Sequence, residues 1–433
     1  MSDLHELSAV EVIGGIRDGA FTSEEVVRAC LERITEREDV VRAWAHLDPE
    51  LALEEARQRD RGPGDGRLHG LPVGVKDIID TSDQPTTYGA GPYVGHQPQD
   101  DAACVQRLRD AGAVVLGKTV TTEFACFHPG PTTNPLDPAR TPGGSSSGSA
   151  AAVADRMLPV ALGTQTAGSI VRPASFCGIY GLKPTFGTID LRGVKAVSPS
   201  LDTLGVLAHD PRDLGLVASV MADHPGPFDL AEEDLRVAFV RTPQWSRIPD
   251  PTRDRIDAAV SALVASGDVA EAELPTEFAG LAEAQEVVMA VEAADSLAPE
   301  RERHGDALSA NLLRFLERGE QLRWAYGAAQ ELTARCREQL EELFARHHVL
   351  LAPSVLGEAP PHEEGTGDPL LCRMWTLLGT PAASVPGLTG PSGLPLGLQV
   401  VAAPGRDGLA VHGAARVATR LAAMQDDAGE GGR

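Results

Sequence analysis

The pattern of apolar and polar positions divides the chain into alternating helices and strands. Leu4, Leu7, Val10, Ile13 and Ile16 recur every three residues, which predicts a first amphipathic helix. Thr22 and Glu25 have the spacing of a capping box, and Val26, Val27, Cys30, Leu31 and Ile34 supply the apolar face of a second helix. A third helix is expected over 51–59, then a Gly/Pro loop at 61–66. The run from Leu71 to Asp80 reads as a buried strand with Lys76 inside it. Residues 101–111 read as helix, 113–116 as a short strand, and 128–142, rich in Pro, Thr and Asn, as loop. A helix over 149–154 and a strand over 158–162 follow. Beyond Gly205, strands at 235–240 and 269–274 bracket a helix at 253–264, and 278–346 is mostly helical and highly charged. Strands at 349–353, 382–386 and 396–402 and a helix at 408–424 complete the pattern. Strands alternating with helices indicate an α/β layered fold, and no long polar linker divides it, so one large domain is expected.

Composition narrows the function classes. Lys+Arg 38 against Asp+Glu 62 leaves a net charge of −24, which repels phosphate backbones and makes nucleic acid an unexpected partner. Six cysteines lie scattered with no C-x-x-C pair, which weighs against a zinc ribbon and suits a reducing compartment. The first residues lack a basic-then-apolar leader and no apolar run is long enough to span a membrane, so a cytoplasmic location is expected.

The chemistry concentrates between Thr141 and Gly187. Gly143-Gly-Ser-Ser-Ser-Gly-Ser149 and Gly163-Thr-Gln-Thr-Ala-Gly-Ser169 are two small-residue, hydroxyl-rich loops on either side of a short helical segment. Gly and Ala let backbone N–H groups approach a reacting atom closely. A phosphate cradle is excluded because no Gly-Lys-Ser/Thr ending follows. Gly144-Ser-Ser-Ser-Gly148 also matches G-x-S-x-G with Ser146 as nucleophile, but that elbow needs a strand directly before it, and here turn residues precede it. Lys76 has two readings. Its amine could pair with Asp77 or Asp80 at a strand end. Alternatively, burial favours the neutral amine and turns it into a general base near neutral pH. His128, His347 and His348 show no metal-ligand spacing, and Cys126 and Cys177 read as small packing residues.

With Lys76 upstream of both loops, the chain resembles the amidase signature family. The likeness extends over 71–80, 118–205 and 349–401, including Ser200-Leu-Asp-Thr-Leu-Gly205 and Gly393-Leu-Pro-Leu-Gly-Leu-Gln399. The resemblance implies a central mixed twisted sheet covered by helices on both faces of a single domain. The expected divisions are N-terminal helices (1–60), signature core (67–206), a variable, mostly helical pocket region (207–346), C-terminal core strands and helix (347–424) and a frayed tail (425–433). It further implies Ser169 as nucleophile, Ser145 as bridging serine after a cis peptide bond from Gly144, Lys76 as base, and no metal or organic cofactor. Backbone N–H groups of Thr166, Ala167, Gly168 and Ser169 would hold the oxyanion, with Ser146, Gln165 and Arg172 in support.

Two departures stand out. The family commonly has Asp where Gln165 stands, and Arg two places after the nucleophile, where Val171 stands and Arg172 follows. An acid–arginine pair would then be exchanged for neutral hydrogen bonding. The activity implied is hydrolysis of a small-molecule carboxamide. The alternatives are the glutamine-hydrolysing subunit of a tRNA-dependent amidotransferase, or a catalytically silent scaffold, against which the presence of Lys76, Ser145 and Ser169 together argues. The acidic balance and short middle region weigh against the amidotransferase without deciding. No membrane partner is expected, and homodimerisation is left open. Pocket walls are expected from 208–346 and from loops near Tyr88, Phe127 and Trp375. Few charged residues flank the core loops, which points to a neutral amide.

Overall fold

Short runs of Val, Ala, Leu and Gly, bounded by turn residues, form the strands, because such runs bury both faces of a sheet without stranding a polar side chain. The computed structural model describes residues 3–222, 228 and 235–430. In chain order the strands are β1 (Trp44–Leu47), β2 (Pro72–Lys76), β3 (Val114–Thr119), β4 (Val160–Gln165), β5 (Tyr180–Lys183), β6 (Thr203–Ala208), β7 (Val237–Val240), β8 (Val269–Ala272), β9 (Val349–Pro353), β10 (Ala382–Thr389) and β11 (Pro395–Ala402). They join in one mixed sheet, ordered β1-β3-β2-β4-β6-β5-β10-β11-β9-β7-β8. Every residue of β2, β3, β4, β6 and β9 is buried. One hydrophobic core runs from Ala9 to Leu421 through nearly all elements, so the chain is a single α/β domain.

The topology decides where chemistry can occur. β2 runs parallel to β3 on one side and to β4 on the other, with Gly74 opposite Ala161. The carboxyl ends of β2 and β4 therefore open on the same edge of the sheet, the edge at which open α/β sheets bind ligands. Lys76 ends β2 rather than lying inside a longer strand; Ile78 N and Ile79 N both turn back to the Lys76 carbonyl. The helix Ser147–Ala154 packs so closely that a Cβ on Gly148 would stand 2.2 Å from Ala43 O and 2.3 Å from Val120 N. Only glycine fits there.

Over this edge lies a helical layer. Helix Leu281–Ser296 packs against Ala310–Leu322, Tyr326–Arg346 and Leu370–Leu378. The expected first helix is split: Leu4–Glu6 is a short 3-10 turn, and Ser8 then caps Ala9–Arg17 with a full capping box to Glu11. The Thr22–Glu25 box caps the second helix, which runs Ser23–Val41. The final helix runs Asp407–Glu430, and 431–433 lie outside the described residues.

Candidate active site

Lys76 is fully buried, and the groups around its amine are neutral. Nζ lies 2.7 Å from Ser145 Oγ and donates to Thr164 Oγ1 at 2.8 Å. Among the described residues no carboxylate is within ion-pair distance of it. The Asp77 and Asp80 partners considered for it are engaged elsewhere. Asp77 pairs with Lys118 at 3.2 Å, and Asp80 accepts from the Tyr88 hydroxyl at 2.8 Å. Burial holds the Lys76 amine well below the usual lysine range, opposed only in part by the more distant Asp202 carboxylate.

The Gly143–Ser149 loop sorts its hydroxyls by task. Ser145 follows a cis peptide from Gly144 and faces the amine. Ser146 Oγ instead donates to Thr164 O and accepts from Thr164 N, both at 3.2 Å, and no strand precedes it, so it does not form a nucleophile elbow. Ser147 Oγ donates to Val120 O at 3.3 Å, and Ser149 Oγ to Leu162 O at 2.7 Å. These two serines fix the loop and the helix start on the backbone.

After β4 the chain turns sharply through Thr166, Ala167, Gly168 and Ser169 into helix Val171–Cys177. Every carbonyl in this turn has a donor. Gln285 Nε2 donates to Thr166 O at 2.9 Å, Thr376 Oγ1 to Ala167 O at 2.7 Å, Arg172 N to Gly168 O at 2.9 Å and Ser146 N to Ser169 O at 3.4 Å. Among the described residues the N–H groups of Ala167, Gly168 and Ser169 have no acceptor. The turn is thus held by its carbonyls with its donors left over. Thr166 Oγ1 donates to Asp202 at 2.5 Å, and Asp202 also accepts from Val197 N and Ser198 N. Burial pushes the Asp202 carboxyl up to about 6, against these hydrogen bonds.

The two departures from the family pattern resolve into separate structures. Gln165 Oε1 accepts from Ile170 N at 2.8 Å and Val171 N at 3.0 Å, capping the helix, while its Nε2 donates to Thr376 Oγ1 at 3.0 Å. Arg172 does not touch it. The guanidinium turns to the Gly144 and Gly367 carbonyls and to Thr366 Oγ1, none of them charged.

A cavity of about 290 Å³ opens on this edge, lined by Ser145, Ser169, Ala167, Arg172 and Cys126 from the core and by Gln285, Glu286, Met289, Phe315, Arg318 and Arg373 from the helical layer. The walls come, as expected, from the 208–346 region, from Phe127 and from Pro369 and Arg373 near Trp375, whereas no residue near Tyr88 lines the cavity. Trp375 is fully buried in the core, and Tyr88 turns toward Asp80. Few charged residues flank the loops in sequence, but Glu286, Arg318 and Arg373 reach the cavity from segments more than 100 residues away from either loop. Four further residues, Thr164, Asp202, Gln285 and Thr376, hold the site and are not picked out by sequence reasoning. Thr164 and Asp202 lie inside the quoted motifs and could have been, whereas Gln285 and Thr376 carry no local signal.

The model of the Amidase family matches residues 25–411. One component of the glutamyl-tRNA(Gln) amidotransferase of Acidothermus cellulolyticus is 35% identical, with 93% of this chain and 92% of the relative covered. A crystal structure of an amidase superposes with a TM-score of 0.88 at 30% identity, covering 96% of this chain and all of the other. The native peptide amidase of Stenotrophomonas maltophilia gives a TM-score of 0.80 at 28% identity, over 95% and 97% of the two chains. Matched over most of its length in both sequence and fold, the chain belongs to the amidase signature family, whose members act on C–N amide bonds.

Proposed function

We propose that the protein hydrolyses a carboxamide through an acyl-enzyme on Ser169, with Ser145 and Lys76 as the proton relay. The observation that carries this reading is a buried amine 2.7 Å from the Ser145 hydroxyl, on the same cavity as Ser169. Burial favours the neutral amine, whose lone pair takes the Ser145 proton as Ser145 takes that of Ser169. The freed Ser169 oxygen attacks the amide carbon, and the carbonyl electrons move onto oxygen. The unpaired N–H groups of Ala167, Gly168 and Ser169 receive that charge, with the Thr166 carbonyl turned away by Gln285; a donor of this kind is typically worth about 3 kcal/mol. Collapse breaks the C–N bond, and the relay returns a proton to the departing ammonia or amine. Water then attacks the ester by the same route, giving the carboxylate and restoring Ser169. The test is ammonia release from an amide panel, with mass spectrometry of the peptide labelled by a fluorophosphonate. Attachment at Ser169 is expected; attachment at Ser146, or none, overturns the assignment.

A second reading keeps this chemistry and changes its use. In it, the chain is the glutamine-hydrolysing component of a tRNA-dependent amidotransferase. The Acidothermus relative belongs to an enzyme of that name and supports this reading more directly than it supports a free-standing amidase. The two separate on one observation. A free-standing amidase releases ammonia from simple amides as purified, whereas an amidotransferase component prefers glutamine and gains activity from partner chains. Both readings place the reaction in the cytoplasm.

A further inference from the structure

A short wall separates the Ser169 cavity from a larger one outside it. The inner cavity holds about 290 Å³ and the outer about 760 Å³, and Phe127, Thr366, Gly367, Pro369 and Arg373 line both. The thinnest part of the wall is Gly365-Thr366-Gly367. Gly365 and Gly367 have φ of 90° and 77°, a region that favours glycine, and a Cβ on Gly367 would stand 2.9 Å from the Phe176 ring. The chain is tied down on either side of it. His362 N donates to Ala139 O at 3.0 Å and Gly365 N to His362 O at 3.2 Å, and beyond the wall Asp368 accepts from Leu370 N at 3.0 Å. Among the described residues, every hydrogen bond to Thr366 and Gly367 comes from Arg172.

The same guanidinium reaches the catalytic loop. Nη1 donates to Gly367 O, and Nη2 to Gly144 O, the carbonyl directly before Ser145. Ser145 Oγ in turn lies 2.7 Å from Lys76 Nζ. Loop and wall also touch, since a Cβ on Gly144 would stand 2.8 Å from Thr366 Cγ2. Arg172 is 4% exposed and its terminal nitrogens donate only to uncharged oxygens. Burial brings it down to about 10, so it is still a cation at neutral pH. A buried cation without a counter-ion is costly, and a lone packing role would be filled at less cost by an apolar side chain. What an apolar side chain cannot supply is a rigid fork of charged donors that holds two carbonyls of two different loops at once.

We infer that Arg172 is a positioning residue with two tasks: one terminal nitrogen holds the peptide that presents Ser145 to Lys76, and the other holds the Thr366–Gly367 wall, past which the acyl arm of an extended amide runs into the outer cavity. This rests on the preceding reading for the roles of Ser145 and Ser169. An amide that fits the inner cavity alone depends on the first task only. One whose arm outgrows it depends on both, because the arm lies against a wall that no other side chain fixes.

The experiment follows ammonia release from primary amides, from propionamide to octanamide and 4-phenylbutyramide, in which the acyl group is the only arm. In the wild type, kcat/KM is expected to rise at least tenfold along the series. Arg172→Gln is expected to lower kcat for propionamide at least tenfold and to reduce the gain with length to within twofold. Arg172→Lys, with one compact ammonium, should recover part of the loss. Should Arg172→Gln not fold, Gly367→Ala displaces the wall against Phe176 and is expected to lose more of the gain with length than of the propionamide rate. A wild type with no gain along the series, or with no turnover of any member, overturns the inference. So does an Arg172→Gln protein that loses the same factor in kcat on every amide with KM unchanged, which is the mark of fewer correctly folded molecules, and so does a Gly367→Ala protein with the full gain. Fluorophosphonate labelling tells the two failures apart. Ser169 labelled beside any of these results leaves the hydrolytic reading standing without this inference, whereas no label on Ser169 overturns both.

Discussion

Two lysines sit on neighbouring strands, one register step apart, and the sheet gives them opposite surroundings. Lys118 on β3 pairs with Val75 of β2, and Lys76 with Thr119, so the two side chains leave on opposite faces. Both are fully buried. On one face Lys118 meets the Asp77 carboxylate at 3.2 Å and Thr86 Oγ1 at 2.5 Å. On the other, Lys76 meets only the Ser145 and Thr164 hydroxyls. Burial lowers both amines, but Asp77 opposes the fall directly at Lys118, and the lowering at Lys76 is the larger. The residue type and depth are the same. What separates a structural cation from a candidate base is whether a carboxylate faces it.

Removing each amine in turn should break the molecule in different ways. Lys76→Met keeps the volume and deletes the lone pair. Ammonia release at pH 7 is expected to fall at least 10³-fold, about 4 kcal/mol of barrier, with the urea midpoint unchanged or raised because a buried amine has gone. Residual activity within tenfold of wild type would end the base assignment. Lys118→Met is expected to do the reverse. It leaves the Asp77 carboxylate buried without its cation, which costs about 3–5 kcal/mol in the urea-unfolding free energy. Adding Asp77→Asn should recover most of that loss, as removing both partners of a buried pair usually does.

Much of this is legible in the chain itself. The two loops, Lys76 and the strands that carry them are contiguous, and their small residues are required by close contacts that no other residue type satisfies. Gly148 against Ala43 and Val120 is one such contact. β5, β6 and the helix Leu370–Leu378 are not legible in the same way, because their apolar residues lack a clear period once buried on several sides. The charge of the cavity is hidden for a different reason. Arg318 and Arg373 reach it only through the packing of one helix pair on another, and nothing in a local window records that. Asp77 suggests itself as a partner for Lys76 because it is next in sequence. In a strand the next residue points to the other face, and it is there that Asp77 meets Lys118.

The comparison can also be sharpened by giving Lys76 what Lys118 already has. Thr164→Asp would set a carboxylate where the hydroxyl now accepts from Nζ at 2.8 Å. An opposite charge at that range favours the ammonium and raises its pKa by about one to three pH units. The sign is fixed. The base works only when neutral, so kcat/KM falls as pH falls through its pKa, and a raised pKa moves that limb to higher pH. In the wild type the limb should lie well below the ordinary lysine value of about 10.4. In Thr164→Asp activity at pH 7 should drop 10- to 10³-fold and recover as the medium is made alkaline. A limb that stays in place would mean that the proton it reports is not the one on Lys76.

Gln165→Glu places a negative charge one residue further along and separates charge from geometry. The carboxylate still accepts from Ile170 N and Val171 N, and a negative group at a helix start is favourable by about 0.3–1 kcal/mol. It cannot donate to Thr376 Oγ1, as Gln165 Nε2 does at 3.0 Å. The Thr376 hydroxyl would then turn its proton to the new carboxylate and release the Ala167 carbonyl it now holds at 2.7 Å. With that carbonyl free, the turn that presents the N–H groups of 167–169 loses one of its anchors. The expected result is a five- to thirtyfold loss in kcat, about 1–2 kcal/mol, with the pH limb moved much less than in Thr164→Asp. If the limb moves as far as it does there, the glutamine matters through its missing charge. If only kcat falls, it matters because it holds the helix with one end of its amide and, through Thr376, the 166–169 turn with the other, which an aspartate or glutamate cannot do.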